Sequence, residues 1–349
     1  MTQPGLTYRD AGVDIDAKNR AFELIKHNVR STFGPHVLSD FGTFGPMLAL
    51  GSGYREPVLV ASADGVGTKL KLAFALGKHD TVGIDIVNHC VDDILTTGAQ
   101  PLLFLDYYAT GRLVPEVLAD VVTGLAAACR EAGCALLGGE TAEMPGFYGE
   151  GEYDLAGFIV GIVEKGRRID GSSIRPGDVA LGLPSSGLHT NGYSLARKVF
   201  GLTDVPNDVA RERLGEPYAE LGTTLGDALM ATHVSYLPAL RPLLAQDPSP
   251  VKGLAHITGG GFTDNVPRVL PADVAVRFFP ERWARPPIFD LIQRRGKIAD
   301  AEMYRAFNLG VGMVVIVSES HAGACLSALP GATAIGEVVP RQGAAVEIG

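Results

Sequence analysis

"ADGVGTKLKLAFALGKHDTVGIDIVNHCVDDI", residues 63–94, opens like a phosphate-binding loop, with glycines leading to a lysine. Two familiar templates do not fit it. A Walker A loop places Gly directly before its Lys, whereas Thr68 precedes Lys69. A dinucleotide fingerprint needs a glycine three residues after its second, and Leu70 stands there after Gly67. The loop also starts with a carboxylate, Asp64, which repels a triphosphate unless a cation lies between them. Mg²⁺ is held by one or two carboxylates together with substrate phosphates, so Asp64 reads as a candidate metal ligand. A tight turn, with Asp64 as the N-cap of a helix over "KLKLAFAL", explains the same residues, and both readings stay open at this point.

The end of the stretch has helical periodicity. Ile84, Val87, Val91, Ile94 and Leu95 share one face; Asp85, His89, Asp92, Asp93 and Thr96 share the other. Crowded acids repel one another unless solvent or a cation answers them. A solvated face is the ordinary expectation, and Asp64 just upstream strengthens the metal reading.

Further out, 349 residues exceed one typical core and predict two domains. A net charge of −9 without a Lys/Arg run argues against a nucleic-acid or anionic-membrane partner. Cys90, Cys129, Cys134 and Cys325 form no CxxC pair and read as reduced, buried thiols. No apolar h-region opens the sequence, and no apolar run approaches the ~20 residues that span a bilayer. The expectation is a soluble cytoplasmic protein.

Strands are predicted at "PVLVASA", "PLLFLDYYATG", "CALLGG" and "YDLAGFIVGIVEKG". Helices are predicted over 17–32, with Asp16 as N-cap, over 83–98 and over 114–132. Near "SSIRPGDVALGL" the chain begins afresh with turn chemistry, which divides it into 1–170 and 171–349. The second half alternates in the same way, with helices near 192–200 and 232–244 and strands at "VKGLAHI", "DVAVRFF" and "VGMVVIVS". The fold class is α/β of the α+β type, two mixed domains.

Three further stretches can carry chemistry. "LGGETAEMPGFY" puts Glu140 and Glu143 just past a strand, where α/β ligands often bind, although a Glu capping a buried turn accounts for them too. "SSGLHTNGYSLARK" places Ser186, Gly187, His189 and Asn191 ahead of a helix, a turn suited to anions, with His189 as an acid/base candidate. "HITGGGFTDN" repeats the logic with Gly260 and Gly261, and a plain tight turn explains its glycines nearly as well.

Taken in order, "YRDAGVDIDA", "ADGVGTKLKLA", "FLDYYATG", "GGETAEMPGFY", "SSGLHTNGYSLARK", "HITGGGFTDNVPRVLP" and "EMYRAFNLGVGM" resemble the phosphoribosylformylglycinamidine cyclo-ligase (AIR synthetase) family over nearly the whole chain. The resemblance implies ATP-dependent closure of the imidazole ring of aminoimidazole ribonucleotide from formylglycinamidine ribonucleotide, through a phosphorylated formamide. It implies ATP and Mg²⁺, and a homodimer whose N-terminal sheets join in a barrel with ATP near the interface. The first domain would then bind nucleotide and metal, and the second would complete the substrate site. By position, Asp64, Asp93 and Glu140 would hold Mg²⁺. Lys26, Gly65, Gly67, Thr68 and Lys69 would belong to the ATP site, and His189 would lie near the reacting substrate. Asp92 stands where the family usually has Asn, adding a charge beside Asp93; Thr190 and Ala306 replace the usual Ser and Thr. Rival readings are another ATP-using member of the superfamily, such as a thiamine-monophosphate kinase, or a nucleotide-binding maturation partner without turnover.

Overall fold

The computed structural model describes residues 5–349; the first four, part of the stretch read above for a targeting signal, lie outside the described residues. The first half begins with α1 (Ile15–Arg30) and carries strands β1 (Pro57–Gly65), β2 (Gln100–Thr110), β3 (Ala135–Glu143) and β4 (Tyr153–Glu164). They form a sheet in the order β1-β4-β2-β3, antiparallel except for β2 and β3. Helices α2 (Leu70–Leu76) and α3 (Asp80–Leu95) follow β1, and α4 (Pro115–Ala132) is the crossover that a parallel pair requires. Asp14, not Asp16, caps α1: its carboxylate accepts from the N–H groups of Asp16 and Ala17.

Helices α3 and α4 meet backbone to backbone. A Cβ on Gly83 would lie 2.3 Å from the Val121 carbonyl, and one on Gly124 would lie 2.1 Å from that of Asp80. Their apolar sides, with Ile86, Val87, Leu118 and Leu125, cover one face of the sheet through Phe104, Leu155 and Ile159. The other face is left open. Leu59 is 60% exposed and Phe158 45% exposed, and Val160, Leu103, Leu105 and Tyr107 share their face by register.

The second half builds a sheet from β5 (Val179–Pro184), β8 (Val251–His256), β9 (Val274–Phe278), β10 (Val311–Val317), β11 (Thr333–Pro340) and β12 (Val346–Ile348). Its order is β12-β9-β11-β5-β10-β8, and a short ribbon pairs β6 (Pro217–Tyr218) with β7 (Thr223–Thr224). Around it lie α5 (Tyr193–Val199), α6 (Asn207–Leu214), α7 (Leu225–Met230), α8 (Leu237–Leu244), α9 (Gly261–Asn265), α10 (Pro287–Gly296), α11 (Asp300–Ala306) and α12 (Glu319–Ala328). The architecture is therefore two mixed α/β units. The helix expected from Thr232 begins only at Leu237, because the backbone of 233–236 is bonded to α3 instead: the His233 and Tyr236 N–H groups reach Asp85 and Asp92. The polar face of α3 is thus not solvated. Asp85, Asp92 and His89 are buried in the seam between the two halves.

Candidate functional site

Asp64 ends β1 and faces α3. Its carboxylate accepts from the Gly65 N–H at 2.7 Å and pairs with His89 Nε2 at 2.9 Å. It caps neither the 3₁₀ turn at Gly67–Lys69 nor α2, so the capping alternative is not realised. Asp93, one turn along α3 from His89, accepts from His256 Nδ1 at 2.9 Å and from the Ser62 hydroxyl at 2.9 Å. His89 Nε2 lies 3.8 Å from Asp93, so the two carboxylates flank one imidazole. Burial alone would raise both acids, but it is outweighed. His89 and the Gly65 N–H hold Asp64 below the usual carboxylate range; His256, the His89 charge and Ser62 do the same for Asp93. His89 goes the other way. Burial disfavours its charge, yet Asp64 and Asp93 raise it above an ordinary histidine.

The second domain closes over this cluster. His233 Nε2 lies 3.1 Å from His256 Nε2, the Thr190 hydroxyl lies 2.6 Å from His89 Nδ1, and Asn88 donates to the His233 carbonyl. A cavity of about 360 Å³ opens beside Asp93, lined also by Ser62, His256, Thr258 and Arg268. Its size suits a small ligand. A larger cavity of about 720 Å³ lies further along the seam, but it contains none of these carboxylates. Its Arg167 and Arg241 are committed to the carbonyls of 244–246 and of Ala132.

Several expectations change with the geometry. Lys69 is fully buried and paired with Asp85 at 2.8 Å; its ammonium also donates to the Ala231 carbonyl at 2.8 Å and the His189 carbonyl at 3.3 Å. With those donors occupied it does not face a phosphate, so its expected ATP contact is corrected to a clamp between the halves. Burial, the leading cause for each partner, pushes Lys69 down and Asp85 up. Gly65, exposed Gly67 and exposed Thr68 remain at the open edge of the seam, where the Thr68 hydroxyl meets that of Ser194 at 3.1 Å.

His189 is wholly buried, stacked on His233 with 4.0 Å between ring centres, and burial keeps it neutral by pushing it well below the ordinary range. Its Nε2 accepts from the Ser186 N–H at 3.3 Å, and its Nδ1 has no partner among the described residues. An acid/base role at the surface of a substrate site is not what this placement provides. Asn191 does lie against the other glycine turn, its Oδ1 3.2 Å from where a Gly259 Cβ would be, so the 186–192 and 258–261 turns are neighbours. Gly260 and Gly261 have φ of 94° and 58°, and a side chain on Gly261 would strike the Tyr304 carbonyl.

Glu140 does not join Asp64 and Asp93 within one chain. Strand β3 runs on through the glycines to Glu143, and the register Gly65–Ala156–Tyr107–Glu140 puts Glu140 three strands from β1, roughly 14 Å away. It also places Glu140 on the open face, opposite to Asp64. Glu143 takes the capping role instead, accepting from the N–H groups of Asp14 and Leu113. Lys26 is half-buried on α1, 3.6 Å from Glu23, outside the seam cluster. The charge expected of Asp92 beside Asp93 is disfavoured: the side chain is wholly buried, and burial drives its carboxyl well above the usual range.

The family described as AIR synthase related protein, N-terminal domain, matches residues 53–163, and its C-terminal domain matches residues 175–349. Proteins named phosphoribosylformylglycinamidine cyclo-ligase match along nearly the whole chain. That of Thermoanaerobacter pseudethanolicus is 50% identical over 98% of this chain and 100% of its own. That of Syntrophotalea carbinolica is 52% identical over 96% and 95%. This chain belongs to the phosphoribosylformylglycinamidine cyclo-ligase family. Solved structures outside that family share the fold. A thiamine-monophosphate kinase from Stenotrophomonas maltophilia is 14% identical with a TM-score of 0.67, over 94% of this chain and 95% of its own. The E. coli hydrogenase maturation protein HypE is 19% identical with a TM-score of 0.65, over 95% and 93%.

Within this cyclo-ligase chain, the sequence reading missed His233, His256, Ser62 and Thr190 as members of the cluster. His256 was visible as the first residue of "HITGGG". His233 was assigned to a helix, and nothing local marked Ser62 as a partner of Asp93.

Proposed function

We propose that the protein closes formylglycinamidine ribonucleotide to 5-aminoimidazole ribonucleotide at the cost of ATP, releasing ADP and phosphate in purine synthesis. The observation that carries this reading is full-length identity at the 50% level to named cyclo-ligases, combined with the paired Asp64 and Asp93 at the seam. The donor set fits Mg²⁺: two anionic carboxylates, one of them beside a cavity, while the neighbouring imidazoles are already hydrogen-bonded to one another. When bound, Mg²⁺ neutralises the triphosphate. The chain's own part is positioning, the main demand of phosphoryl transfer. Asp64 and Asp93 hold the charge that orients the nucleotide, Gly65, Gly67 and Thr68 line the loop edge, and the Ser186–Gly187 and Gly260–Gly261 turns offer backbone N–H groups to the ribose phosphate. His189 shapes the first of these turns from beneath.

The reading divides the chain after residue 170 and includes a homodimer, supported by the open apolar face of the first sheet. Glu140 then lies on the face turned toward the second copy, and any part it takes in metal binding is shared between subunits; Lys26, on α1, is kept as a nucleotide contact by this reading alone. Among the described residues no helix is long and apolar enough to cross a membrane.

ADP release measured with formylglycinamidine ribonucleotide, with thiamine phosphate and with no second substrate tests the assignment. Turnover is expected with the first alone. Turnover with thiamine phosphate, or none with any addition, overturns it.

A further inference from the structure

The hydrogen bonds of the seam form one chain. Carboxylates only accept, so His256 Nδ1 donates to Asp93 at 2.9 Å. The other ring nitrogen of His256, Nε2, shares one proton with His233 Nε2 at 3.1 Å, and His233 Nδ1 faces the Thr190 hydroxyl at 3.4 Å. At the other end His89 Nε2 donates to Asp64 at 2.9 Å. The Thr190 hydroxyl is also bonded to His89 Nδ1 at 2.6 Å. Asp64, His89, Thr190, His233, His256 and Asp93 thus run as an unbroken line. It starts and ends in the first domain and crosses the second between them.

We propose that Thr190, His233 and His256 are positioning residues for the two metal carboxylates, so that Asp64 and Asp93 take their binding geometry only when the second domain is docked. The proposal rests on the reading that these carboxylates hold Mg²⁺. In this reading none of the three would be a ligand; they fix the rotamers of the two carboxylates, through His89 on one side and directly at Asp93 on the other. Partners of this kind, one layer out from a metal, typically account for about 10–100-fold in metal affinity. The Thr190 hydroxyl is the joint of the line because it bonds histidines of both domains. Its methyl group is not needed, so Ser serves there equally.

The test is binding of Mn²⁺, as a paramagnetic probe, to the full-length protein with a non-hydrolysable ATP analogue. Thr190→Val, Thr190→Ser, His233→Phe and Asp64→Asn are compared, and melting temperatures confirm folding. The expected result is a dissociation constant raised about 10–100-fold by Thr190→Val and by His233→Phe. Thr190→Ser is expected to stay near wild type, and Asp64→Asn to lose binding most. If Asp64→Asn weakens binding but Thr190→Val and His233→Phe do not, the positioning inference is overturned and the metal reading stands. Equal weakening by Thr190→Val and Thr190→Ser also overturns it, because the hydroxyl is then not the cause. Unchanged binding by Asp64→Asn removes the metal reading and the inference with it.

Discussion

At the scale of single residues, charge and its suppression decide the site. Asp64→Asn keeps the size of the side chain and an oxygen for the Gly65 N–H, but it loses the anion. Turnover should fall by about 10²–10³-fold, the usual effect of removing one element of charge stabilisation. Raised Mg²⁺ should restore part of it, and the melting temperature should change little because the group is only half-buried. Turnover against Mg²⁺ concentration checks this; an unchanged rate and Mg²⁺ dependence would mean that Asp64 has no part in the metal site. Asp92 predicts the opposite pattern. Burial drives its carboxyl well above the usual carboxylate range, beside the Tyr236 N–H and His233. A raised folded pKa means that stability is full below the unfolded value of about 3.9 and is lost as pH rises above it. Asp92→Asn removes that loss while preserving the acceptor for the Tyr236 N–H. Its melting temperature should exceed wild type at pH 8, with the gap closing toward pH 4; a variant less stable at pH 8 would count against a neutral Asp92. The sequence showed Asp92 as a departure from family habit, but its burial was not legible there, because the groups that bury it arrive more than a hundred residues later.

Among the elements, alternation and helical period were enough to place the strands of the first sheet, β8, β9 and β10 of the second, and the course of α3 and α4, whereas β11 and β12 were not read from the sequence. What period does not reveal is which surface an acidic face meets. The polar side of α3 looked like a solvent face because the seam that covers it comes from 233–256. Register was hidden for the same reason. Glu140 follows two glycines and reads as a turn residue, yet β3 continues through it and turns it onto the open face. The α3–α4 contact makes a sharper demand than helix propensity. Alanine in a helix interior is favoured over glycine by about 1 kcal/mol, but overpacking typically costs 1–3 kcal/mol. The Cβ of Gly83→Ala would sit 2.3 Å from a carbonyl that belongs to another helix's backbone and yields little. Overpacking therefore wins, and Gly83→Ala should lower the unfolding free energy measured in urea by a net of up to about 2 kcal/mol. A variant as stable as wild type would show that the helices can separate without loss.

For the molecule as a whole, the open sheet face predicts assembly. A stable interface buries about 1,200–2,000 Å² in total, and Leu59, Phe158, Val160, Leu103 and Leu105 supply a contiguous apolar patch for it. Sedimentation at micromolar concentration should give a dimer, and Phe158→Asp should give a folded monomer; a monomeric wild type would contradict this. The two-domain layout was legible from length and from the restart near Pro176, whereas the way the domains interlock was not. The interlock has a consequence in time. Asp85 waits 148 residues for the His233 N–H and Asp93 waits 163 for His256. A ribosome working at about 5–20 residues per second needs roughly 7–30 s to deliver them. Throughout that interval the nascent first half carries an apolar sheet face and a wet, ionised α3. The acids later buried in the seam lend the unfinished chain its solubility, and they surrender that service as the second half arrives.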